Sequence, residues 1–326
     1  MPEFSAPGLA ALGDTLCRTF TPNALHGAEW AALDTSLVAS LGLALDDLYS
    51  EATIAALGGG GTAHPAYACD YAGHQFGRFN PSLGDGRLAL VGEWHTPAGS
   101  YEVSLKGAGR TAFSRHADGL AGISECLREF ELGRQLVALE IPTALCLGVL
   151  RGTQQVYRKR FEHRAILVRL MPSHLRFGSF EALYAQRRYD VLGTLADFVI
   201  RNHYPSLQAH ARPHAAWFEA TVIATAELIA RWQSVGFTHG MMNTDNQSVL
   251  GFTLDLGEAA FNESRDPEFV SAAEDEHRRY AFGDQPTIGL WNCNVLARAL
   301  SPLIEADDLR NALRRYEPAY LAGPIV

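Results

Sequence analysis

Residues 236–257 read GFTHGMMNTDNQSVLGFTLDLG, a stretch that carries Asp245, Asn246 and Asp255. Segments 247–250 and 252–256 are each suited to a short strand, with Gly251 as the turn between them. A hairpin of this length would bring its two ends together. We therefore expect Asn246, at the entry of the hairpin, to lie near Asp255, at its exit.

An asparagine oxygen beside a carboxylate is a pair of hard ligands that suits Mg²⁺ held against phosphates. Kinase-type enzymes use such a pair, namely an asparagine of the catalytic loop and the aspartate of a D-F-G signature. Here the signature position reads Asp255-Leu256-Gly257. The alternative is that Asn246 and Asp255 are ordinary turn-forming residues at the two ends of a hairpin.

The position of the catalytic base separates this chain from small-molecule kinases that carry H-G-D-x-x-x-x-N. His239, Gly240 and Asn246 are in register with that pattern, but the base position holds Met241, which cannot accept a proton. The nearest carboxylate is Asp245. The pattern indicates either a different chemistry or a loss of activity.

Composition limits the classes of protein to consider. The chain has 326 residues, 47% hydrophobic and 19% charged, enough for two lobes. A net charge of −9 argues against nucleic-acid partners. The five cysteines are scattered without paired spacing, which predicts reduced thiols in the cytoplasm. The sequence has no apolar run long enough to span a membrane and no basic leader before its first apolar residues.

Only two of the 27 basic residues are lysines, Lys106 and Lys159. Lys159 stands between two arginines and is expected to be a solvated charge. Lys106 ends an alternating segment, 101–106, that is typical of a half-buried strand. Kinases place a strand lysine on nucleotide phosphates in this way.

A helix is predicted over 123–139, with Ile123, Leu127, Phe130 and Val137 as its buried stripe. Glu129 lies beside this stripe, in the first helix after the strand of Lys106. That is the placement of the kinase glutamate that orients the lysine through an ion pair. A solvated helix carboxylate is the alternative.

Other segments add candidates for phosphate binding. Residues 84–87 read Gly-Asp-Gly-Arg before an apolar strand, a turn with open backbone N–H groups beside an arginine. Arg169 interrupts the apolar strand 165–170, where a buried charge needs a partner, and Arg176 follows shortly after it. A plain turn and two surface arginines are the alternatives.

The predicted fold is α+β, a two-lobed protein-kinase-like fold with a strand-rich N-lobe and a helical C-lobe. Residues 1–66 are expected to be an extension of helices and loops, ending in four glycines. The strand-rich nucleotide-binding lobe is placed at 67–180. The helical lobe, with the catalytic and metal loop, is placed at 181–326, and its helices are predicted at 187–204, 217–235 and 291–300.

Taken together, eight short motifs resemble the selenoprotein O family, also called YdiU, of protein adenylyltransferases. They occur in family order between about residues 65 and 300. They read G-H-Q-F-G at 73–77, L-G-D-G-R at 83–87, L-K-G-A-G at 105–109, S-R-x-x-D-G at 114–119, R-E-F at 128–130, R-F-G-x-F-E at 176–181, H-G-x-x-N-T-D-N at 239–246 and W-N at 291–292.

The resemblance implies transfer of AMP from ATP, bound in a flipped orientation, to hydroxyl side chains of proteins. It assigns Asp245 as the proton acceptor and Lys106 as a phosphate contact paired with Glu129. Asn246 and Asp255 would bind Mg²⁺ (or Mn²⁺), and Asp255 would also contact the nucleotide. The other implied nucleotide contacts are Gly84, Gly86, Arg87, Asp118, Gly119, Arg169 and Arg176.

Two departures from the family pattern shape the expectations. Longer members continue past residue 326 and often end in a selenocysteine or cysteine motif, so this chain is expected to be a shortened member without that redox control. The usual D-Y-G-P reads Asp255-Leu256-Gly257-Glu258 here. The alternatives to AMP transfer are a kinase that uses the γ-phosphate and a non-catalytic ATP-binding pseudokinase.

Overall fold

The computed structural model describes residues 4–13, 15–62 and 64–324. Two compact units divide the chain, and each is discontinuous in sequence. The strand-rich unit comprises Met1–Asp70, Ser82–Val137 and Ala144–His174. The helical unit comprises Tyr71–Pro81, Ala138–Thr143 and Leu175–Val326.

Strands of the described chain are numbered in chain order. They are β1 (Phe4–Ser5), β2 (Cys17–Phe20), β3 (Glu29–Leu33), β4 (Ala66–Cys69), β5 (Gly73–Gln75), β6 (Arg78–Asn80), β7 (Leu88–Thr96), β8 (Gly99–Lys106), β9 (Ala121–Gly122), β10 (Leu145–Tyr157), β11 (Phe161–Met171), β12 (Phe237–Thr238) and β13 (Ala260–Phe261).

Helices are numbered in the same way. They are α1 (Thr35–Ser40), α2 (Leu45–Tyr49), α3 (Glu51–Ala55), α4 (Ile123–Ala138), α5 (Phe177–Ala185), α6 (Tyr189–His203), α7 (Pro213–Val235), α8 (Gln285–Leu300), α9 (Ala306–Leu313) and α10 (Tyr316–Ala322).

One sheet organises the strand-rich unit, in the order β2-β4-β7-β8-β11-β10-β3, with β1 paired to β7 and β9 paired to β11. Strand β8 is antiparallel to both of its neighbours, and Lys106 lies opposite Leu88 on one side and Leu167 on the other. Because both faces of the sheet are covered here, Glu102, Ser104 and Lys106 of β8 are buried, as are Val103 and Leu105. The alternation predicted for 101–106 is therefore present, but neither face is solvated.

Helix α4 covers the face of the sheet that carries Lys106. Its buried face contains Cys126, Glu129, Phe130, Gly133 and Leu136, a helical repeat that includes the glutamate. The predicted stripe is wrong at two positions, because Leu127 and Val137 are 37% and 43% exposed. The buried stripe of α4 is shifted toward Glu129. The carboxylate of Glu129 is tolerated in the interior because Lys106 forms an ion pair with it.

The N-terminal segment departs from the predicted helices and loops. It supplies β2 to one end of the sheet and β3 to the other, in addition to the three short helices α1, α2 and α3. Leu48 and Leu57 are fully buried in the core cluster that also contains Val103 and Ile166. These side chains cover the face of the sheet opposite α4.

In the helical unit, α7 begins with a proline in its first turn and ends at Gly236, which adopts a left-handed conformation with φ of 71°. The loop that carries Asp245 follows directly. The predicted hairpin over 247–256 is wrong in detail, because only a single antiparallel bridge joins Gln247 to Thr253. Instead of pairing along a second strand, Thr253 donates its backbone N–H and its hydroxyl to the carbonyl oxygen of Pro142.

These elements confirm the α+β class, with strands concentrated in one unit and helices in the other. All five cysteines are buried and free of disulfides. Lys159 is exposed in the turn between β10 and β11, as expected. Within the described ranges, every helix is too short or too polar to cross a membrane.

Candidate active site

The strand-rich unit brings a carboxylate and two cations together under α4. Lys106 forms an ion pair with Glu129, and the two residues are 5% and 2% exposed. Arg169, on the neighbouring strand β11, places its Nη1 4.0 Å from Oε2 of Glu129. These three side chains carry one net positive charge in a buried place, an arrangement that favours an anionic ligand.

The Gly-Asp-Gly-Arg turn is tightly packed. Gly84 has a φ of +98°, and a Cβ there would lie 2.5 Å from the ring of Phe113, so only glycine fits. Asp85 is 4% exposed and accepts the N–H of Cys69 at 3.0 Å, a role that sequence reasoning missed. Arg87 pairs with Glu125 at 2.9 Å while remaining 40% exposed.

Asp118 has a partner that sequence reasoning did not name. Arg158 holds its two carboxylate oxygens at 3.1 and 3.0 Å, and the N–H of Leu120 donates to it at 3.0 Å. Partial burial raises the pKa of Asp118, but the bond to Arg158 and the bond from Leu120 outweigh it, so the pKa lies below its ordinary value. The carboxylate orders its own loop, in which Gly119 has a φ of +71° against the carbonyl of Gly109.

In the helical unit, Asp245 is 6% exposed and lies in a short 3₁₀ turn, Thr244–Asn246. Gln75 donates to its Oδ2 at 3.4 Å, while Oδ1 has no hydrogen-bond partner among the described residues. Burial raises the pKa of Asp245 to about 6, and the positive charge of Arg176 offsets part of that rise. A buried carboxylate with one unsatisfied oxygen is suited to accept a proton.

Arg176 joins Asp245 from the N-terminus of α5. Its Nη1 donates to the backbone carbonyl of Asp245 at 3.0 Å, and its guanidinium stacks over Tyr71 with 4.4 Å to the ring centroid. Gly178, in the first turn of α5, is required here because a Cβ would lie 2.2 Å from the carbonyl oxygen of Ala72 and 3.3 Å from Cα of Asp245.

The segment G-H-Q-F-G is clamped onto the loop of Asp245. His74 donates its N–H to Thr244 Oγ1 at 2.7 Å, and Phe76 donates its N–H to both Asn243 Oδ1 and the hydroxyl of Tyr280. Tyr280 donates in turn to Asn243 at 2.6 Å. Sequence reasoning noticed this motif but missed the structural roles of Gln75, Asn243 and Tyr280, whose partners lie far away in sequence.

His239 connects the loop to the segment before Asp255. Its Nε2 donates to the carbonyl oxygen of Leu254 at 2.6 Å, and its Nδ1 accepts the N–H of Met241 at 3.3 Å. Complete burial lowers the pKa of His239, so the ring is neutral and makes both bonds. Asp255 has a φ of +55°, a left-handed conformation that non-glycine residues adopt under local constraint.

Asn246 and Asp255 offer a small set of oxygen ligands. Such a set would suit Mg²⁺ better than an ion that is coordinated by protein side chains alone. Asn246 donates its Nδ2 to the carbonyl oxygen of Met241 at 2.9 Å, which leaves its Oδ1 as the end available to a cation. Asp255 supplies a carboxylate. Among residues 4–13, 15–62 and 64–324, no group of three or more His, Cys, Asp or Glu side chains could hold a metal. Mg²⁺ commonly takes one or two protein oxygens and completes its shell with phosphates and water.

A family model described as protein adenylyltransferase SelO matches residues 3–323. The protein nucleotidyltransferase YdiU of Chromohalobacter salexigens is 47% identical over 84% of this chain and 56% of its own length. Those of Vibrio vulnificus and Myxococcus xanthus are 43% and 42% identical, over 95% and 92% of this chain and over 64% and 62% of their own lengths. The chain thus spans between 56% and 64% of these curated relatives.

Likeness to solved structures is slight. A Toxoplasma gondii rhoptry antigen kinase domain aligns with 78% of this chain and 75% of its own, at 14% identity and a TM-score of 0.33, which is too low to carry an argument. The family match and the identities to the relatives are decisive. The chain belongs to the SelO family of protein adenylyltransferases.

Proposed function

We propose that this chain transfers AMP from ATP to serine, threonine or tyrosine hydroxyls of proteins. The observation that carries the proposal is Asp245, a buried carboxylate with an unsatisfied oxygen next to Asn246, in a loop whose usual base position holds Met241. In the proposed reaction Asp245 accepts the proton of the hydroxyl. The hydroxyl oxygen forms a bond to the α-phosphorus, and the bond from that phosphorus to pyrophosphate breaks.

The nucleotide contacts follow from charge and backbone geometry. Lys106, oriented by Glu129, and Arg169 supply buried positive charge for phosphates. Arg87 and Arg176 supply further positive charge. Gly84, Gly86 and Gly119, where a Cβ would lie 2.5, 3.3 and 2.1 Å from neighbouring atoms, allow the tight backbone of the nucleotide-binding loops. Asp118 belongs to the same set through the loop that it orders. Stabilising charge on the phosphates as pyrophosphate departs is the main electrostatic task of such a site.

Asn246 and Asp255 are the residues that would hold Mg²⁺, or Mn²⁺ in its place. A bound divalent ion would supply charge neutralisation at the phosphates. Partners are proposed to be proteins with accessible hydroxyl groups, since a net charge of −9 disfavours nucleic acid. Dependence on ATP, together with five free thiols, favours the cytoplasm as the place of action.

Two other activities remain as alternatives that the same site could support. A kinase would transfer the γ-phosphate, and a non-catalytic module would bind ATP without transfer. The absence of a proton acceptor at Met241 disfavours the usual kinase chemistry. The buried cations around Glu129 favour nucleotide binding in every case.

Labelled ATP distinguishes these activities. With ATP and Mg²⁺, we expect label from the α-phosphate, and none from the γ-phosphate, to become covalently attached to a protein acceptor. Asp190→Asn, an exposed substitution of the same kind on α6, should leave the rate of labelling unchanged, whereas Asp245→Asn should lower it by roughly 10²–10⁴-fold. Transfer of the γ-label would identify a kinase. Thermal stabilisation by ATP without any transfer would identify a binding module.

A further inference from the structure

Two of the five cysteines lie side by side in the strand-rich unit. Cys17 is in β2 and Cys69 is in β4, and the two residues are directly opposite each other in the antiparallel pairing of these strands. Their Sγ atoms are 3.6 Å apart, although 52 positions separate the two residues in the chain. Both thiols are reduced and buried, at 3% and 6% exposure. Neither thiol has a role in the proposed transfer of AMP.

The register of the two strands puts this pair at a position where a disulfide can form. Asp70 donates its N–H to the carbonyl oxygen of Leu16 at 2.8 Å, so these two residues form a hydrogen-bonded pair. Because hydrogen-bonded and non-hydrogen-bonded pairs alternate, the next pair, Cys17 and Cys69, is non-hydrogen-bonded. The Cα atoms of such a pair are about 4.5 Å apart. Disulfides span Cα separations of about 4.4–6.8 Å, so the two sulfurs can bond while the backbone of both strands stays in place.

Cys69 is also the residue against which the Gly-Asp-Gly-Arg turn packs. Its N–H donates to Oδ2 of Asp85 at 3.0 Å, and its carbonyl oxygen accepts the N–H of Asp85 at 2.9 Å. The same carbonyl oxygen would lie 3.0 Å from a Cβ at Gly84. A covalent bond from Cys69 to β2 would therefore restrain the backbone that holds this turn.

The position of β2 gives an oxidant access to the pair. β2 comes first in the strand order of the sheet and is joined to β4 through four residue pairs. Two of its residues, Arg18 and Thr19, are exposed. A short strand at the margin of a sheet opens more readily than a central one. In the closed sheet, the hydrogen bond with Cys17 and burial raise the pKa of Cys69, so the reactive thiolate forms when β2 opens.

We propose that Cys17 and Cys69 form a reversible disulfide when the protein meets a peroxide, and that this bond fastens β2 to β4 and restrains the turn of Asp85. The pair and its oxidation do not depend on the proposed transfer of AMP. The other three cysteines are expected to stay reduced, because they lie in longer elements of 13 or 16 residues: Cys126 in α4, Cys146 in β10 and Cys293 in α8.

The oxidation balances with hydrogen peroxide as the two-electron oxidant. The thiolate of one cysteine attacks a peroxide oxygen, the O–O bond breaks, and the departing hydroxide takes up a proton and leaves as water. The cysteine becomes a sulfenic acid. The second thiol attacks the sulfenic sulfur, so that the S–S bond forms, the S–O bond breaks and a second water leaves. The two thiols lose two protons and two electrons in all, and a dithiol reductant restores them.

Peptide mapping tests the bond directly. The purified full chain is incubated with hydrogen peroxide, alkylated in denaturant and digested with trypsin without reductant. Trypsin leaves Cys17 in peptide 1–18 and Cys69 in peptide 19–78, and it leaves each of the other cysteines in a separate peptide. We expect the two peptides to be linked, with a mass two hydrogens below their sum, and to separate after dithiothreitol. Absence of this link, or links to another cysteine instead, would overturn the proposal.

Thermal unfolding tests what the bond does to the fold. The bond joins residues 52 positions apart, so oxidised wild type should melt about 5 °C above the reduced protein. Cys17→Ala and Cys69→Ala each remove one partner and should show no rise on oxidation. Cys126→Ala, the matched control at a cysteine that is 1% exposed, should show the same rise as wild type. A rise that persists in Cys17→Ala would assign the effect to another oxidation. If an alanine variant does not fold, the peptide map of wild type still decides whether the bond forms.

Hydrogen exchange tests the restraint on the turn. In the linked protein, the backbone amides of 66–70 and 83–87 should exchange at least about threefold more slowly than in the reduced protein. The amides of α7, in the helical unit, are the reference and should not change. Slower exchange in β4 with unchanged exchange at 83–87 would overturn the restraint on the turn while leaving the disulfide established.

Discussion

Asp245→Asn is expected to lower the rate of AMP transfer by roughly 10²–10⁴-fold, the usual contribution of a positioned general base. Asparagine keeps the shape of the side chain and its bond with Gln75, but it cannot accept a proton. Transfer is measured with saturating ATP and a protein acceptor, and ATP binding is measured separately by thermal shift. Because the substitution is isosteric, ATP binding should be retained. A variant with full activity would remove Asp245 from the reaction.

The same substitution should stabilise the protein. The pKa of Asp245 is raised from an ordinary 3.8 to about 6, so the folded protein keeps a proton that the unfolded chain has lost between these values. The contribution of Asp245 to the free energy of unfolding therefore falls as pH rises through that window, by about 3 kcal/mol in total. Asparagine has no charge to bury at any pH. In metal-free and nucleotide-free protein, Asp245→Asn should therefore be more stable than wild type at pH 8.

Urea denaturation at pH 4.5 and pH 8 checks this expectation. The stability difference between Asp245→Asn and wild type should grow by about 2 kcal/mol between pH 4.5 and pH 8. Asp190→Asn, whose side chain is 78% exposed, should show no such dependence on pH. A difference that is the same at both pH values would mean that burial of the charge is not the cause.

The second large effect is expected at Glu129. Replacing it by glutamine leaves Lys106 and Arg169 buried without their shared counter-charge, which should cost about 3–5 kcal/mol of folding free energy. Lys106→Met should cost less, because Arg169 lies within 4.0 Å of Glu129 and remains as its ion-pair partner. The asymmetry follows from one carboxylate serving two cations.

Unfolding in urea for Glu129→Gln, Lys106→Met and the exposed control Glu131→Gln measures these costs. Glu131 is on the same helix with its side chain 56% exposed, and its substitution should be nearly neutral. Added ATP should raise the stability of Glu129→Gln by more than that of wild type, because phosphates replace the missing negative charge. Equal losses for the two buried variants would show that Arg169 does not share the carboxylate.

The sequence predicted the ion pair between Lys106 and Glu129, but it misassigned the buried face of α4, the helix that carries Glu129. Strand alternation indicated Lys106, and position in the following helix indicated Glu129, since both are local patterns. The buried face of α4 was misassigned because hydrophobicity alone selects Leu127 and Val137 and rejects a glutamate. Burial of Glu129 depends on Lys106, a partner on another element, which no pattern within one helix can reveal.

The sequence indicated Asp245 as a candidate base, but it did not indicate the residues that contact the loop of Asp245. The register of His239, Met241 and Asn246 predicts that Asp245 takes the place of the usual base. The hydrogen bond from Tyr280 to Asn243 joins residues that are 37 positions apart, and no local sequence pattern signals such a contact. The predicted hairpin failed because Thr253 bonds to Pro142, which lies 111 residues earlier in the chain. The catalytic, nucleotide and metal roles themselves remain predictions.

The scarcity of lysine has a practical consequence for measuring stability. A protease that cuts only after lysine has two targets, Lys106 and Lys159. The bond after Lys159 is in an exposed turn and can be cut in the folded protein. The bond after Lys106 ends a strand that is paired on both sides, so its cleavage requires the sheet to open. The ratio of the two cleavage rates therefore reports the opening equilibrium of the sheet from a single unlabelled digest.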